Sequence, residues 1–227
     1  MISISQSPTP NKLKSEEFYL NLGFKIVSND PLIVNDGKAY IEINTDRYAR
    51  AGVKLFKNNW KSEISKLQEN IAITTFSDGY LLADPSGVWI YLMEIPAPDF
   101  PVLEDKSFSI LGNYAGLSLE TTDIQRSIRF YETLGFKISS GSLEQGYVSL
   151  EREDFIISLM KPLSCPHLFY NPSLTYFNGK DNLAVIQKIR DLEILITEEI
   201  TYFNKEGIVD NIIIRDPGGF GFFIFSD

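Results

Sequence analysis

Histidine and cysteine are almost absent from this chain of 227 residues, which has one of each, His167 and Cys165. A single cysteine cannot form an internal disulfide, as is typical of reducing compartments, and we therefore expect a cytoplasmic protein. The two residues lie two positions apart in a proline-flanked loop, where their side chains need not face each other. We therefore expect no Cys/His nucleophilic pair and no cofactor.

Positive charge is also scarce, because 21 lysines and arginines stand against 30 aspartates and glutamates, giving a net charge of −9. An acidic surface repels phosphate backbones, so nucleic acid is not an expected partner. The charge favours a cationic ligand, but ordinary solubility explains it equally well. No apolar run approaches a membrane span, and the start of the chain lacks the basic segment and apolar core of a signal peptide.

Sequence motifs for nucleotides and for hydrolytic nucleophiles are missing as well. Neither Gly-x-x-x-x-Gly-Lys-Ser/Thr nor Gly-x-Gly-x-x-Gly occurs, and nothing marks a nucleophile elbow. The glycine-rich segment 216–221 lies between predicted strands rather than before a helix. It is therefore interpreted as a turn.

What the chain does contain is a repeat. Residues 18–28 read Phe-Tyr-Leu-Asn-Leu-Gly-Phe-Lys-Ile-Val-Ser, and residues 130–140 read Phe-Tyr-Glu-Thr-Leu-Gly-Phe-Lys-Ile-Ser-Ser. Downstream, Asp-Pro-Ser-Gly at 84–87 and Asp-Pro-Gly-Gly at 216–219 each open an apolar run. Two matches in the same order indicate a duplicated domain.

The boundary between the copies is predicted from proline. Pro96, Pro98 and Pro101 make a stiff segment that is unsuited to strand pairing. We therefore predict domain 1 over 1–95, a linker over 96–107 and domain 2 over 108–227.

Hydrophobic periodicity predicts the same series of elements in each half, a βαβββ module repeated twice. The expected fold class is α+β, with four βαβββ modules. Helices are predicted up to Gly23 and over 60–69, 123–134 and 180–191. Strands are predicted at 2–6, 24–28, 31–35, 39–44, 51–57, 71–76, 79–83, 88–94, 114–119, 136–140, 146–151, 154–160, 173–177, 194–203, 208–214 and 220–226.

With Phe-Tyr-x-x-Leu-Gly-Phe twice, each copy followed by Asp-Pro-x-Gly, the chain resembles the vicinal oxygen chelate superfamily. That group includes glyoxalase I, type I extradiol dioxygenases, fosfomycin-resistance enzymes and bleomycin-resistance proteins. The resemblance covers nearly the whole chain and implies two tandem glyoxalase-like domains, each an eight-stranded half-open barrel around a pocket. The motif residues themselves specify turns and core packing, so none of them is a catalytic candidate.

The resemblance also implies where a metal would be held, at four strand positions that are His or Glu in metal-using members. A metal in such a site needs three or four converging ligands. Glu42 is the single carboxylate at these positions, and alone it cannot hold a metal. Counted from the motifs, the positions fall on Ile4, Glu42, Gly52 and Tyr91 in the first half and on Gly116, Ser158, Ser173 and Phe223 in the second.

A ligand site is predicted from the residues around these positions. The first half is the better candidate, because it keeps polar and aromatic side chains there. Glu42 either anchors a cationic or hydroxylated ligand or is an ordinary strand carboxylate, exposed or paired with Lys54 or Arg50. The uncharged second half predicts a filled pocket or a purely apolar ligand. The candidate ligand-binding residues are Tyr40, Glu42, Lys54, Trp89, Tyr91, Ser158, Ser173 and Phe223.

Together these features favour a metal-independent, bacterial-type protein that sequesters a small organic molecule, aromatic or cationic, as bleomycin-resistance proteins do. One alternative is a metal-dependent glyoxalase-type lyase or dioxygenase with atypical ligands. Another is a scaffold whose pockets are filled. With two domains in one chain, either a monomer or a homodimer is expected.

Overall fold

The computed structural model of the protein describes residues 3–102 and 104–226. The predicted start of the first strand at Ile2, one linker position, Leu103, and the outermost domain bounds at Met1 and Asp227 lie outside the described residues.

Eight strands between residues 3 and 93 form one mixed sheet, and two helices connect them. The strands are β1 (Ser3–Pro8), β2 (Lys25–Asn29), β3 (Leu32–Asn35), β4 (Tyr40–Asn44), β5 (Gly52–Phe56), β6 (Ile73–Phe76), β7 (Gly79–Ala83) and β8 (Trp89–Met93). The helices are α1 (Lys12–Asn21) and α2 (Lys61–Leu67).

Residues 114–225 repeat this plan in a second sheet of eight strands. The strands are β9 (Tyr114–Glu120), β10 (Lys137–Ser142), β11 (Tyr147–Arg152), β12 (Phe155–Met160), β13 (Ser173–Phe177), β14 (Ile196–Ile200), β15 (Asn211–Arg215) and β16 (Gly221–Phe225). The helices are α3 (Ile124–Thr133) and α4 (Asn182–Asp191), the latter preceded by a 3₁₀ turn, Gly179–Asp181.

The strand order confirms the predicted α+β fold of four βαβββ modules. The first sheet runs β2-β3-β4-β1-β5-β8-β7-β6, and the second runs β10-β11-β12-β9-β13-β16-β15-β14. In each half the two modules meet through an antiparallel pair of their first strands, with Ser5 opposite Val53 and Leu117 opposite Leu174. Modules therefore pair within a half.

The first helix of each half begins and ends on similar local signals. The side chains of Asn11 and Asp123 accept hydrogen bonds from the backbone N–H groups of Lys14 and Arg126, as N-caps do. Gly23 and Gly135 follow the helices with φ of +88° and +93°, a conformation that glycine adopts without strain. Within the described residues, no helix is long and apolar enough to cross a membrane.

One face of each sheet packs on the helices, and the largest apolar cluster joins residues of both halves into a single core. Strand alternation directs every second residue of β5, such as Val53 and Leu55, into this core. The opposite face of each sheet is called here the open face. Each open face carries one smaller apolar cluster.

The repeated motifs bond to each other across the two halves. The Tyr19 hydroxyl donates to Asp216 Oδ2 at 2.9 Å, and the Tyr131 hydroxyl donates to Asp84 Oδ2 at 2.7 Å. The other oxygen of Asp84 accepts the backbone N–H of Val88 at 2.8 Å, which holds its turn closed. Burial raises the pKa of both carboxyls, although the hydrogen bonds they accept lower it in part.

We expect Tyr131→Phe to lower the free energy of unfolding by about 1–3 kcal/mol near neutral pH, because Asp84 Oδ2 then has no donor. The folded chain protonates Asp84 at a higher pH than the unfolded chain, whose aspartate pKa is about 3.9. Between the pKa of Asp84 in the unfolded chain and its higher pKa in the folded chain, stability falls as pH rises, because folding must then bury an ionised carboxylate. The loss should therefore shrink in acid.

Urea unfolding at a series of pH values measures this effect. Tyr202→Phe, at a tyrosine that is 73% exposed, is the matched control and should change little. An equal loss at all pH values would show that the Tyr131 hydroxyl does not act through the carboxylate.

Candidate functional site

The residues predicted at the family's ligand positions lie on the open faces of the two sheets. In the first sheet Gln6 is opposite both Glu42 and Gly52, and Lys54 is opposite both Ile4 and Tyr91. Side chains at these registers share one face because the strand period is two.

Glu42 and Lys54 form an ion pair on the first open face. Lys54 Nζ lies 2.6 Å from both carboxylate oxygens of Glu42, and the side chains are 14% and 5% exposed. Asn44 adds a hydrogen bond to Glu42 Oε1 at 3.0 Å. Of the two interpretations left open for Glu42, the structure shows pairing with Lys54, which leaves no net charge for a cationic ligand.

The aromatic residues of this face are partly covered by the linker. The Tyr40 ring stacks on Phe100 with centroids 4.6 Å apart, and its hydroxyl donates to the Pro101 carbonyl. Trp89 and Tyr91 are half-buried, and Lys54 Nζ lies 5.8 Å from the centroid of the Tyr91 ring. The first half therefore presents a neutralised surface on which Phe100 and Pro101 cover Tyr40.

The second half contains a cavity of about 340 Å³ on its open face. It opens between β9, β13 and β16 and two loops, 161–172 and 201–210. Its lining consists of Ser118, Met160, Cys165, His167, Phe169, Thr175, Phe177, Phe203, Asp210, Asn211, Phe223, Phe225 and Ser226.

Aromatic rings form one wall of this cavity. The rings of Phe223 and Phe225 are parallel within 1°, with centroids 5.5 Å apart. Phe169, from the loop after β12, meets Phe223 edge-on at 4.9 Å. Phe223 and Phe225 are 2% and 8% exposed, so the wall presents a small part of its ring surface to a flat apolar molecule.

Polar groups are few and mostly paired with each other. The hydroxyls of Ser118 and Thr175 lie 2.6 Å apart, and Asn211 Nδ2 donates to Asp210 Oδ1 at 2.9 Å. His167 is the exception. Its Nδ1 lies 2.8 Å from the Leu168 carbonyl oxygen, while its buried Nε2 has no hydrogen-bond partner. In the neutral tautomer that donates from Nδ1, Nε2 is an unsatisfied acceptor.

Of the three candidates predicted in the second half, Phe223 lines the cavity and the two serines do not. Ser158 Oγ bonds Ser149 Oγ at 2.8 Å, and Ser173 Oγ donates to the Tyr170 carbonyl. Of the two alternatives expected for this half, a filled pocket or a purely apolar ligand, the cavity is compatible with the second. Small side chains on β9 and β13, such as Ser118, leave space that the adjacent rings do not occupy.

Reasoning from strand positions could not reach the part of the cavity wall that lies on loops, such as His167, Phe169 and Phe203. A usable signal was loop length. The segment between β12 and β13 spans 161–172 and that between β14 and β15 spans 201–210, whereas their equivalents in the first half span 45–51 and 77–78. Long loops in compact domains are often functional.

The cavity residues do not suit a metal centre. Within the described part of the chain, no group of three or more His, Cys, Asp or Glu side chains converges so as to hold an ion. Cys165 is not activated either, because burial and, secondarily, the Glu120 charge raise the pKa of its thiol.

The buried ion pair of the first half predicts a double-mutant cycle. Glu42→Gln should lower the free energy of unfolding by about 3 kcal/mol, because it leaves Lys54 buried and unpaired. Glu42→Gln combined with Lys54→Met should lose less than the sum of the single variants, measured by urea unfolding. Glu199→Gln is the control, since it breaks an exposed pair with Arg190 worth below about 1 kcal/mol.

Structural comparison places this architecture among known proteins. The chain is similar to homoprotocatechuate 2,3-dioxygenase from Arthrobacter globiformis, with a TM-score of 0.57, 13% identity and coverage of 97% of this chain and 78% of that one. It is similar to 2,2′,3-trihydroxybiphenyl 1,2-dioxygenase from Sphingomonas wittichii, with a TM-score of 0.57, 13% identity and coverage of 99% and 91%.

A Mn(II)-bound glyoxalase from Novosphingobium aromaticivorans matches with a TM-score of 0.54 and 15% identity, over 97% of this chain and 79% of that one. No protein-family model and no curated protein sequence matches the chain. At these identities the likeness concerns architecture alone. The chain therefore has the fold of the vicinal oxygen chelate superfamily, built as two tandem glyoxalase-like domains.

Proposed function

We propose that the protein binds a small, flat and largely apolar organic molecule in the cavity of its second half, without a metal and without bond making. The observation that supports this most directly is the aromatic wall around Phe223 and Phe225, which borders open space. A volume of about 340 Å³ lies at the lower end of the range of ligand pockets, roughly 300–1,000 Å³.

The proposed activity differs from the reactions named for the structural neighbours, which are two dioxygenases and a Mn(II)-bound glyoxalase. The family's metal positions hold Gly116, Ser158, Ser173 and Phe223 in this half, and none of these is a histidine or carboxylate. The residues present do not fit the metal, and Phe223 places an aromatic ring at one of the four positions.

The proposal also includes the oligomeric state and the cellular location of the protein. Both sheets are completed within one chain, so the cavity needs no second copy and a monomer suffices. One free cysteine suits the bacterial-type cytoplasmic setting that the sequence predicts.

Binding can be tested with 2-naphthol, a flat bicyclic probe, by isothermal titration calorimetry. Phe223→Leu should weaken its affinity about tenfold, because the ring contact is worth roughly 1–1.5 kcal/mol beyond buried area. Tyr91→Leu is the matched control, since Tyr91 lies on β8, the strand of the first half that is equivalent to β16. This change should leave the affinity for 2-naphthol unchanged.

Elemental analysis of protein purified without chelator accompanies this titration. A stoichiometric transition metal would contradict the proposal and favour the metal-dependent lyase or dioxygenase. Failure of 2-naphthol and other flat probes to bind would favour the scaffold alternative.

The unpaired Nε2 of His167 predicts a preference for ligands with a hydroxyl or N–H group. 2-Naphthol should bind about fivefold more tightly than 2-methylnaphthalene, as expected for one net hydrogen bond of about 1 kcal/mol. His167→Phe should abolish this difference while leaving the affinity for 2-methylnaphthalene nearly unchanged. Equal preference in both proteins would show that Nε2 does not contact the ligand.

A further inference from the structure

A second recess, called here the cationic groove, lies between α2 and α3 on the helical side of the molecule. Its volume is about 380 Å³. Its charged lining residues are Lys66, Arg126 and Arg129, and in the described part of the chain no carboxylate borders it. The rest of the lining consists of Leu67, Asn70, Ile71, Pro85, Phe130 and Thr133.

The two arginines of this groove differ from the other five arginines of the chain. The side chains of those five each contact an aromatic ring, a carbonyl or a carboxylate; they are Arg47, Arg50, Arg152, Arg190 and Arg215. Among the described residues, the guanidinium groups of Arg126 and Arg129 have no hydrogen-bond, ion-pair or ring partner. Both line the same groove.

Their arrangement concentrates positive charge. Arg126 and Arg129 are three positions apart on α3, so they share a helix face and repel each other. Lys66 adds a third cation from the end of α2, and both arginines and Lys66 are exposed. The chain has 30 aspartates and glutamates, yet within its described part none pairs with these arginines. A bound anion would relieve the repulsion.

The duplication supplies an internal comparison. Alignment of the repeated motifs makes Lys14 and Glu17 on α1 the equivalents of Arg126 and Arg129. The equivalent groove, between α1 and the segment that follows α4, contains these two residues together with Glu193, Arg215 and Asp216, so its charges are mixed. The fold therefore does not require that every charged residue lining this groove be a cation.

We propose that the cationic groove binds a small organic molecule that bears two adjacent phosphate groups. Guanidinium groups match phosphate oxygens with paired hydrogen bonds, and two such groups on one helix face suit two neighbouring phosphates. Asn70 supplies a further amide donor, and the apolar part of the lining, around Phe130, accommodates the organic remainder. This site is separate from the cavity of the second half.

Calorimetric titration with inorganic pyrophosphate at low ionic strength tests the proposal. We expect saturable binding that weakens with added salt, because the contacts are exposed to solvent. Arg126→Gln and Arg129→Gln should each weaken the affinity about three- to tenfold, and the double variant should weaken it further. Lys14→Gln in the equivalent groove is the matched control and should change nothing.

Citrate forms a second arm of the titration, because it presents carboxylates in place of phosphates. Weaker binding of citrate than of pyrophosphate is expected, and the reverse would overturn the assignment to phosphate. Absence of pyrophosphate binding, an equal loss in Lys14→Gln, or binding only of an acidic peptide would overturn the site itself. Unchanged circular dichroism and unchanged 2-naphthol affinity in the arginine variants would show that the fold and the cavity are intact.

Discussion

Two buried tyrosine–aspartate hydrogen bonds cross from one half of this protein to the other, and they fix the turns that precede the final strand of each sheet. Each aspartate performs two tasks with two oxygens, since Asp84 closes its own turn with one and accepts Tyr131 of the other half with the other. Asp216 does the same with Phe220 and Tyr19. The turn that aligns a final strand is thereby fixed by the opposite half of the molecule.

This coupling reaches the cavity. Asp216 lies in the turn between β15 and β16, and β16 is the strand that carries Phe223 and Phe225. A third aspartate, Asp36, accepts the Tyr176 hydroxyl of β13 at 2.8 Å, so the neighbouring strand is also anchored to the first half. The aromatic wall and the small side chains opposite it are therefore positioned by contacts that cross the molecule, even though the cavity is lined by the second half alone.

The sequence was sufficient to predict the modules, because strand alternation and the duplicated motifs are local signals. It did not predict the bonds between Tyr19 and Asp216, which are 197 positions apart, and it attributed those motifs to turns and packing within one half. It favoured the first half as the ligand site, whereas the aromatic cavity lies in the second. Strand positions can be counted from a motif, whereas the rings of Phe169 and Phe203 depend on how long loops fold.

The two duplicated turns, at Asp84 and Asp216, differ in the residues that pack against them. Gly218 lies so close to the Pro8 carbonyl oxygen that a Cβ there would be 1.8 Å away, yet the first-half turn has Ser86 in this place. The Ser7 hydroxyl also donates to Asp216, and its counterpart on β9 is Leu119, which has no hydroxyl to offer. Two copies of the first half could not reproduce this junction. The two halves are therefore not interchangeable, as the subunits of a symmetric dimer of single domains would be.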